Sequence, residues 1–296
     1  MDISAIGKKI KELRKSIGLS QKELAKDICT QAQISKIESG DVLPLASTLY
    51  SISKRLGVDI NYFFDLGTTP RLDYVQEVAA QLKLARRKLD YMMIKEIVES
   101  EERNPLFSTN RKNLQLLLWH KAIYSYHVHH ESEQAHVLAD QAIALTYDKV
   151  WSEREIEIRM SKGIFFYEEG KYQEAMDTYL QAKKDLEELI FLQDDTIHSR
   201  LLYNLAKAYT KIGNYQQSIL LCEEAIRSCI EKDLLFLLGE LHYHIGYNHE
   251  LQEQFFLARK YMSQALNVFH IQKNANYNSF IGEKISRFDS ICHTSP

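Results

Sequence analysis

The chain has 296 residues, of which 45% are hydrophobic and 26% are charged, and its net charge is −3. This length is sufficient for two domains, and the composition is that of a globular protein. No run approaches the roughly 18 apolar residues of a membrane span, and the N-terminus lacks the apolar core of a signal peptide, so we expect a cytoplasmic protein without membrane contact. Only four prolines and eleven glycines favour an all-helical fold.

The charge is divided unevenly, because residues 1–66 carry a net +2 and the remainder −5. This asymmetry permits a nucleic-acid contact near the N-terminus without proving one. The four cysteines lack the spacing of zinc ligands, and we expect them to be reduced core residues. They are Cys29, Cys222, Cys229 and Cys292.

Apolar residues at helical spacing predict five short helices in the first 65 residues. The pattern places them near residues 3–17, 21–28, 31–39, 49–56 and 60–64. Ser20 followed by Glu23 is a capping box at the start of the second helix, and Thr30 caps the third. Gly18 and Gly40 stand where helices end. These features predict a compact helical bundle.

The third predicted helix buries Ile34 and Ile37, which leaves polar side chains around its other sides. A Gln side chain can contact adenine through two hydrogen bonds, Lys can reach guanine or phosphate, and Ala can touch a thymine methyl group. For this helix alone, a solvated polar face is the alternative. The residues predicted to read a major groove are Gln31, Ala32, Gln33, Ser35 and Lys36.

The stretch IKELRKSIGLSQKELAKDI, a polar helix and then ISKIESG closely resemble the helix-turn-helix of the phage-repressor (Cro/C1, or XRE-like) family over residues 3–64. The resemblance implies that Gln21 meets a phosphate and that Gln31, Gln33, Ser35 and Lys36 belong to the recognition helix. Arg14 and Glu38 resemble the internal ion pair of that family, which is a structural role. Cys29 stands where the family often has Gly, so the resemblance defines the backbone of that turn less well.

A second pattern follows DLGTTPRLD (65–73), within which we expect a linker at 67–74. GKYQEAMDTYLQA (170–182) recurs as GNYQQSILLCEEA (213–225) and, more loosely, at 88–100, 130–142 and 253–265. The small-residue position of each copy is spaced by 41, 40, 43 and 40 residues. These positions are Ile94, Ala135, Ala175, Ser218 and Ala258.

The pattern Gly-x-aromatic-x-x-Ala-x-x-x-aromatic-x-x-Ala resembles the tetratricopeptide repeat. Gly163, Ala206 and Gly246 stand at the small position of the preceding helix, where the paired helix packs closely. A period above 34 residues implies longer helices or longer connections. We therefore expect residues 75–296 to form about five helix pairs in a right-handed superhelix with a concave lining, closed by a capping helix at 277–288.

The first helices of such repeats line the groove, and counting back from each small residue gives the inward positions. An Asn amide can hold both the N–H and the C=O of an extended chain, and Arg or Lys can bind a terminal carboxylate. The alternative is a solvated inner surface whose aromatic rings pack between helices. The inward positions are Lys83, Arg86, Arg87, His120, Tyr124, His127, Ser161, Ile164, Tyr167, Tyr203, Asn204, Lys207, Glu240, Tyr243, His244 and Tyr247.

An XRE-like head followed by tetratricopeptide-like repeats resembles the peptide-pheromone receptors of Gram-positive bacteria, the Rap, Rgg, NprR, PlcR and PrgX family, and most closely its PlcR-like members. The resemblance implies a quorum-sensing transcription regulator that dimerises through the repeats. It would bind a short signalling peptide in the groove and a palindromic operator with two heads, and peptide binding would change the spacing of the heads. The implied peptide contacts are Asn204, His244, Tyr277 and a basic group among Lys83, Arg86, Arg87 and Lys88.

Other functions find less support in the sequence. The histidines of HVHHESEQAH lack the paired spacing of a zinc site, and Cys222 and Cys229 share a helix face without an activating basic neighbour apart from Arg227. No nucleophile–base set, Walker loop or dinucleotide fingerprint is present, so we expect neither catalysis nor a cofactor. Two alternatives remain open: a repeat scaffold that recruits a protein partner, and a phage-type repressor whose repeats serve only to dimerise.

Overall fold

The computed structural model describes residues 2–69 and 71–294, except for the side chains of residues 275, 276 and 291–294. Over those ranges the secondary structure is all-helical, without a β-strand, as the composition predicted. The chain divides into two compact units, residues 1–120 and 121–296.

The first unit begins with five short helices around one apolar core. They are α1 (Ile3–Ser16), α2 (Gln21–Ala25), α3 (Gln31–Ser39), α4 (Ala46–Leu56) and α5 (Ile60–Thr68). Each contributes fully buried side chains, among them Ile10, Leu24, Ile34, Ile52 and Phe63. The predicted five-helix bundle is therefore confirmed.

The ends of α2 and α3 follow the capping chemistry of their sequence. Ser20 and Glu23 form the expected capping box, and Gly40, with a φ of 83°, ends α3 in the left-handed conformation. In the turn between the two helices the left-handed residue is Asp27, with a φ of 59°. Cys29, which stands where the related family often has Gly, is not in the left-handed conformation. Its N–H donates to the carbonyl of Ala25 at 3.0 Å. Aspartate tolerates this conformation better than most residues, so the turn forms without glycine.

Three further helices complete the first unit, and a fourth continues into the second. They are α6 (Leu72–Lys88), α7 (Tyr91–Glu101), α8 (Pro105–Ser108) and α9 (Arg111–His127). The expected linker at 67–74 is helical at both ends, because α5 reaches Thr68 and α6 begins at Leu72. Pro70, within that linker, lies outside the described residues.

The second unit is a stack of helices. They are α10 (Ser132–Ala144), α11 (Glu153–Glu168), α12 (Tyr172–Glu187), α13 (Thr196–Lys211), α14 (Tyr215–Glu231), α15 (Leu238–Leu251), α16 (Phe255–Ile271) and α17 (Ala275–Thr294). Each helix packs on the next, and α13 also contacts both α11 and α15, so the first helices of successive pairs form one layer. The last helix closes the stack by burying Ile281 and Phe288, as predicted for a cap.

The repeat is visible in the backbone as well as in the sequence. All five small-residue positions, from Ile94 to Ala258, are fully buried. Five residues before each stands a residue of positive φ: Leu89 (57°), His130 (58°), Gly170 (77°), Gly213 (81°) and Glu253 (58°). Only two of these are glycine, although the left-handed conformation costs other residues about 1–2 kcal/mol. The weakly matching copies therefore adopt the same turn as the strong ones.

Small residues on the first helices allow the paired helix to approach closely. A Cβ atom on Gly163 would lie 2.4 Å from Cε1 of Tyr179, and one on Gly246 would lie 2.8 Å from Cγ of Met262. Real Cβ atoms do not tolerate such distances, so these two positions need glycine at this helix spacing. The packing expected from the repeat pattern is confirmed.

Candidate DNA interface and peptide groove

The polar face of α3 is exposed along its whole length. Gln31, Ala32, Gln33, Ser35 and Lys36 are all exposed, while Ile34 and Ile37 pack into the core beneath them. Contacts of α3 with both α1 and α2 hold the helix in place. The residues predicted to read bases therefore lie together on one firmly held, solvent-facing surface.

A chain of hydrogen bonds connects this surface to a buried ion pair. The Gln31 amide donates to Oε1 of Gln21 at 2.7 Å, and Nε2 of Gln21 donates to Oε2 of Glu38 at 2.8 Å. Arg14 donates to both oxygens of Glu38, through Nε at 2.5 Å and Nη2 at 3.0 Å. The carbonyl oxygen and the second N–H of the Gln31 amide remain available to a base. Adenine is contacted by one such acceptor and one such donor.

The ion pair between Arg14 and Glu38 has the structural role that the resemblance implied. Both side chains are buried. Burial alone would raise the pKa of Glu38, but hydrogen bonds from Arg14 and Gln21, together with the charge of Arg14, outweigh it and lower that pKa. The carboxylate is therefore held in its charged form between α1 and α3, where it also orients Gln21.

Two other side chains shape the same region. Oε1 of Gln33 accepts a hydrogen bond from the N–H of Thr30 at 3.2 Å, so this predicted base-reading residue also caps α3. Arg55, which the sequence did not indicate, donates through Nη1 to the carbonyls of Glu23 and Leu24 at 3.3 and 3.1 Å. It satisfies the carbonyls at the end of α2, where a helix lacks partners of its own. Because its acceptors lie about 30 residues away in the chain, no local pattern predicts this contact.

In the second unit, Lys207 on α13 is held between aromatic rings. Its Nζ lies 5.0 Å from the ring centroid of Tyr167 and 5.4 Å from that of Tyr203. Burial lowers the pKa of Lys207, and the charge of Glu168 counters this in part. Within the described residues no carboxylate lies close enough to Lys207 to form an ion pair. Asn204, half-buried on the same helix, makes no side-chain hydrogen bond there either. Both side chains are thus available to a ligand.

Further aromatic rings continue this surface along α15 and α17. Tyr243 stacks on Tyr247 with ring centroids 6.3 Å apart and contacts Phe280 at 5.9 Å. Tyr277 stacks on Phe269 at 4.4 Å. Burial and then the charges of Tyr277 and Glu240 raise the pKa of Tyr203, which indicates that these groups lie near one another. We call the surface formed by Tyr167, Tyr203, Asn204, Lys207, Glu240, Tyr243, Tyr247 and Tyr277 the aromatic groove.

His244, which the resemblance placed among the peptide contacts, is engaged inside the protein. It is 6% exposed, and its Nε2 is 3.0 Å from Oγ1 of Thr210. Thr210 also bonds Asn248 at 2.8 Å and Ser218 at 2.9 Å, which links α13, α14 and α15 in one buried polar network. Burial lowers the pKa of His244 to about 4, so the imidazole is neutral. The network supports the floor of the aromatic groove.

Three other inward positions are also inside the helix packing. Tyr124 is buried, with its ring 5.5 Å from that of His129. His120 and Ser161 are buried and hydrogen-bond to carbonyls of their own helices, at 2.8 and 3.1 Å. Because sequence spacing gives only the side of a helix, it does not distinguish a residue that lines the groove from one just beneath its surface.

The basic residues predicted to bind the peptide lie at the end of α6 in the first unit. Lys83, Arg87 and Lys88 are exposed. The guanidinium of Arg86 lies 3.9 Å from the ring centroid of the buried Trp119. Stacking of this kind orients the guanidinium of Arg86 on the Trp119 ring.

The histidine and cysteine clusters make contacts of a structural kind. His127 lies 3.5 Å from Glu168, and His136 lies 3.0 Å from Glu169. No group of three or more metal-ligating side chains is found in the described part of the chain. Burial raises the pKa of the thiols of Cys29, Cys222 and Cys229, which makes them less reactive, and the Cys292 side chain lies outside the described residues. No described helix has the length and apolarity to cross a membrane.

A five-helix head with an exposed recognition helix, followed by stacked helix pairs, defines a helix-turn-helix protein with a helical repeat domain. A helix-turn-helix family model matches residues 10–63, and the model of the RNPP family C-terminal domain matches residues 79–289. The chain therefore belongs to the RNPP family, as the sequence resemblance predicted. No curated protein gave a significant match.

Several solved structures share the fold over nearly the whole chain. Bacillus thuringiensis PlcR in complex with the peptide PapR7 and DNA is 22% identical, with a TM-score of 0.86 over 94% of this chain and 99% of that one. ComR from S. thermophilus, in complex with DNA and its signalling peptide ComS, is 17% identical, with a TM-score of 0.65 over 96% and 99%. Streptococcus dysgalactiae Rgg2, an SHP pheromone receptor, is 16% identical, with a TM-score of 0.62 over 95% and 99%.

Proposed function

We propose that this chain is a transcription regulator whose DNA binding is controlled by a short signalling peptide, as in quorum sensing. The observation that carries the proposal is the combination, in one RNPP-family chain, of the exposed α3 face and an aromatic groove with available polar groups. The similar PlcR and ComR structures contain both DNA and a peptide. Residues 1–66 would be the DNA-binding domain, 67–74 the linker and 75–296 the peptide-binding and dimerisation domain. The protein would act in the cytoplasm as a regulator, not as an enzyme.

At the DNA, Gln31 would contact an adenine while Gln21 bridges to a backbone phosphate. Ala32, Gln33, Ser35 and Lys36 would contact the neighbouring bases and phosphates from the same face. Two heads of a homodimer bind a palindromic operator when their recognition helices are about 34 Å apart, one helical turn. Ile190 and Phe191 are exposed apolar residues between α12 and α13 and support the proposal of a protein–protein contact in the second unit.

In the aromatic groove, the Asn204 amide would hold the backbone of an extended peptide and Lys207 would bind a carboxylate. Tyr167, Tyr247 and Tyr277 would provide apolar walls with a polar edge. His244 and Tyr124 would act from below, by holding the helices that carry these residues. The contribution of Lys83, Arg86, Arg87 and Lys88 stays a prediction from the family resemblance.

Two selections test the proposal on the full-length protein. DNA selected from randomised duplexes should contain inverted half-sites about one helical turn apart. A heptapeptide library, followed by a thermal-shift assay of the recovered sequences, should yield peptides that raise the melting temperature and change operator affinity. Inverted sites without any peptide binder would favour a repressor whose repeats only dimerise. The absence of both a DNA and a peptide binder would favour the scaffold.

Two variants test the DNA-binding face of α3 and the aromatic groove separately. Gln31→Ala should weaken operator binding and leave peptide binding unchanged, while Asn204→Ala should weaken peptide binding and leave operator binding without peptide unchanged. Each truncation removes hydrogen bonds worth about 1–3 kcal/mol, so a decrease in affinity of about 5- to 150-fold is expected. Peptide affinity that is equal in wild type and Asn204→Ala by calorimetry would contradict the proposed groove.

A further inference from the structure

One carboxylate oxygen of the aromatic groove has no partner. Oε2 of Glu240, on α15, is buried and accepts no hydrogen bond from any described residue. Oδ1 of Asn278, on α17 next to Tyr277, is likewise buried without a donor. Both atoms are acceptors, and a buried acceptor without a donor is costly, by about 1–3 kcal/mol and more for a charged group. Tyr243 on α15 contacts Phe280 on α17, so the two helices lie together, and an acceptor without a donor on each of them points to a donor that a ligand would supply.

Other buried carboxylates among the described residues have partners. Glu169 and Asp185 each have an oxygen without a hydrogen bond, but Lys171 and Arg159 form ion pairs with those two oxygens. Glu38 is paired with Arg14, Glu101 accepts from the Tyr74 hydroxyl at 2.7 Å, and Glu155 accepts from the N–H of Ser152 at 2.8 Å. All three side chains are more buried than Glu240. Of these six carboxylates, only Glu240 has an oxygen with neither a hydrogen bond nor an ion pair among the described residues, and it lies at a surface proposed to bind a ligand.

The surroundings of Glu240 are aromatic. Its charge contributes, after burial, to the raised pKa of both Tyr203 and Tyr277, so these rings lie within its electrostatic range. Aromatic faces attract cations, and a carboxylate with an amide carbonyl accepts their N–H groups. Lys207, the cation of the aromatic groove, is not among the groups that shift the pKa of Glu240, which are burial and a hydrogen bond from the N–H of Glu240 itself. The donor therefore has to come from the ligand.

We propose that Glu240, together with Asn278 and the rings of Tyr203 and Tyr277, forms a subsite for a cationic group of the bound peptide. This group is either a Lys or Arg side chain or the N-terminal ammonium. The inference rests on the proposed peptide-binding function and adds the chemistry that the peptide must carry. Glu240 would determine specificity, because a peptide with an apolar or acidic group at this place would leave the carboxylate buried and unpaired.

The test uses full-length protein and heptapeptide sublibraries in which one position is fixed as Lys, Arg, norleucine or Glu. Each sublibrary is prepared with a free and with an acetylated N-terminus, and binding is measured by fluorescence anisotropy. Wild type should prefer a basic residue at one position, or the free over the acetylated N-terminus, by at least about tenfold. A preference for a basic residue would identify a side chain as the cation. A preference for the free N-terminus would identify the terminal ammonium.

Two variants test whether Glu240 causes the preference for a cationic group. Glu240→Gln has nearly the same shape and should abolish the preference for a cation, while Glu231→Gln removes an exposed carboxylate at the end of α14, outside the groove, and should retain it. Burial raises the pKa of Glu240, so protons compete with the cation, and affinity for the basic peptide should fall as the pH is lowered through that raised pKa. This pH dependence should be absent in Glu240→Gln. The melting temperature of each ligand-free variant shows that the fold is intact.

The possible results test the subsite and the proposed function separately. Peptides that bind wild type and Glu240→Gln equally, without a preference for a cation, would overturn the subsite and leave the peptide-receptor function standing. Loss of the preference in Glu231→Gln but not in Glu240→Gln would place the selectivity elsewhere and also overturn the subsite. If no sublibrary binds wild type, the proposed function and the subsite are both wrong.

Discussion

At the scale of single residues, the buried ion pair of the head determines how the recognition helix presents its first side chain. Glu38 connects Arg14 on α1 to Gln21 on α2, and Gln21 holds Gln31. A side chain fixed in this way loses less conformational entropy on binding DNA, and the smaller entropy loss favours the complex. The exposed pair of Lys9 and Glu12, at 2.9 Å, contributes little because water screens it.

Replacing Glu38 with Gln should lower the free energy of unfolding by about 2–4 kcal/mol at pH 7, because Arg14 stays buried without its counter-ion. The folded-state pKa of Glu38 lies below its ordinary value of 4.5. Its charge therefore stabilises the fold fully above about pH 4.5, and this contribution is lost as the pH falls through the lowered pKa. Urea denaturation at pH 7 and at about pH 3 should show the difference between wild type and variant shrinking in acid.

The matched control is Glu12→Gln, which breaks the exposed pair and should change stability by at most about 0.5 kcal/mol. Equal stability of wild type and Glu38→Gln at pH 7 would show that the carboxylate does not hold the head together.

Residue contacts were predictable where they depend on local spacing or on a strong family pattern. The capping box of Ser20 and Glu23 lies within one turn, and the pair of Arg14 and Glu38 belongs to the recognised head. The network of Thr210 and His244 joins residues 34 positions apart on different helices, so only their packing brings them together. For the same reason the sequence identified Glu240 as an inward position but did not reveal that its Oε2 lacks a partner.

At the scale of helices, the repeat depends on a few positions where a side chain or a φ angle is constrained. The sequence predicted the helix pairs because small and aromatic residues recur at a nearly constant spacing. It did not predict the short helix α8 or the helical ends of the linker, since neither belongs to the repeat. The turn residues Leu89, His130 and Glu253 were also missed, because stacking forces residues other than glycine into the left-handed conformation.

Gly163→Ala should destabilise the protein by about 1–3 kcal/mol, because the new Cβ would meet the Tyr179 ring at 2.4 Å. Tyr179 is itself fully buried, so its ring cannot swing out into solvent without losing its packing. Gly282→Ala on α17 is the matched control, since its Cβ meets nothing within 4 Å and alanine favours a helix by about 0.5–1 kcal/mol. Thermal unfolding of both variants should therefore shift in opposite directions, and a shift of the same sign would contradict the close packing of α11 and α12.

At the scale of the whole molecule, a regulator needs free-energy coupling between its two ligands. A peptide changes operator affinity only if it binds the DNA-competent form and the other form with different affinities. A hundredfold difference corresponds to about 2.7 kcal/mol, comparable with a few hydrogen bonds of the kind proposed between the peptide and the aromatic groove. Because the head and the repeats carry separate sites, each can be altered while the coupling is measured at the other.

Coupling of this kind is reciprocal, and that leads to a quantitative prediction. If a peptide from the library changes operator affinity by some factor, the operator must change the affinity for that peptide by the same factor. Calorimetric titration of the peptide into protein with and without saturating operator, and of the operator with and without saturating peptide, measures both. At an operator concentration that saturates only the wild type, Gln31→Ala should reduce the effect of that operator on peptide affinity yet preserve peptide affinity without DNA. Equal peptide affinities with and without operator in wild type would mean that the groove does not control the head, whatever it binds.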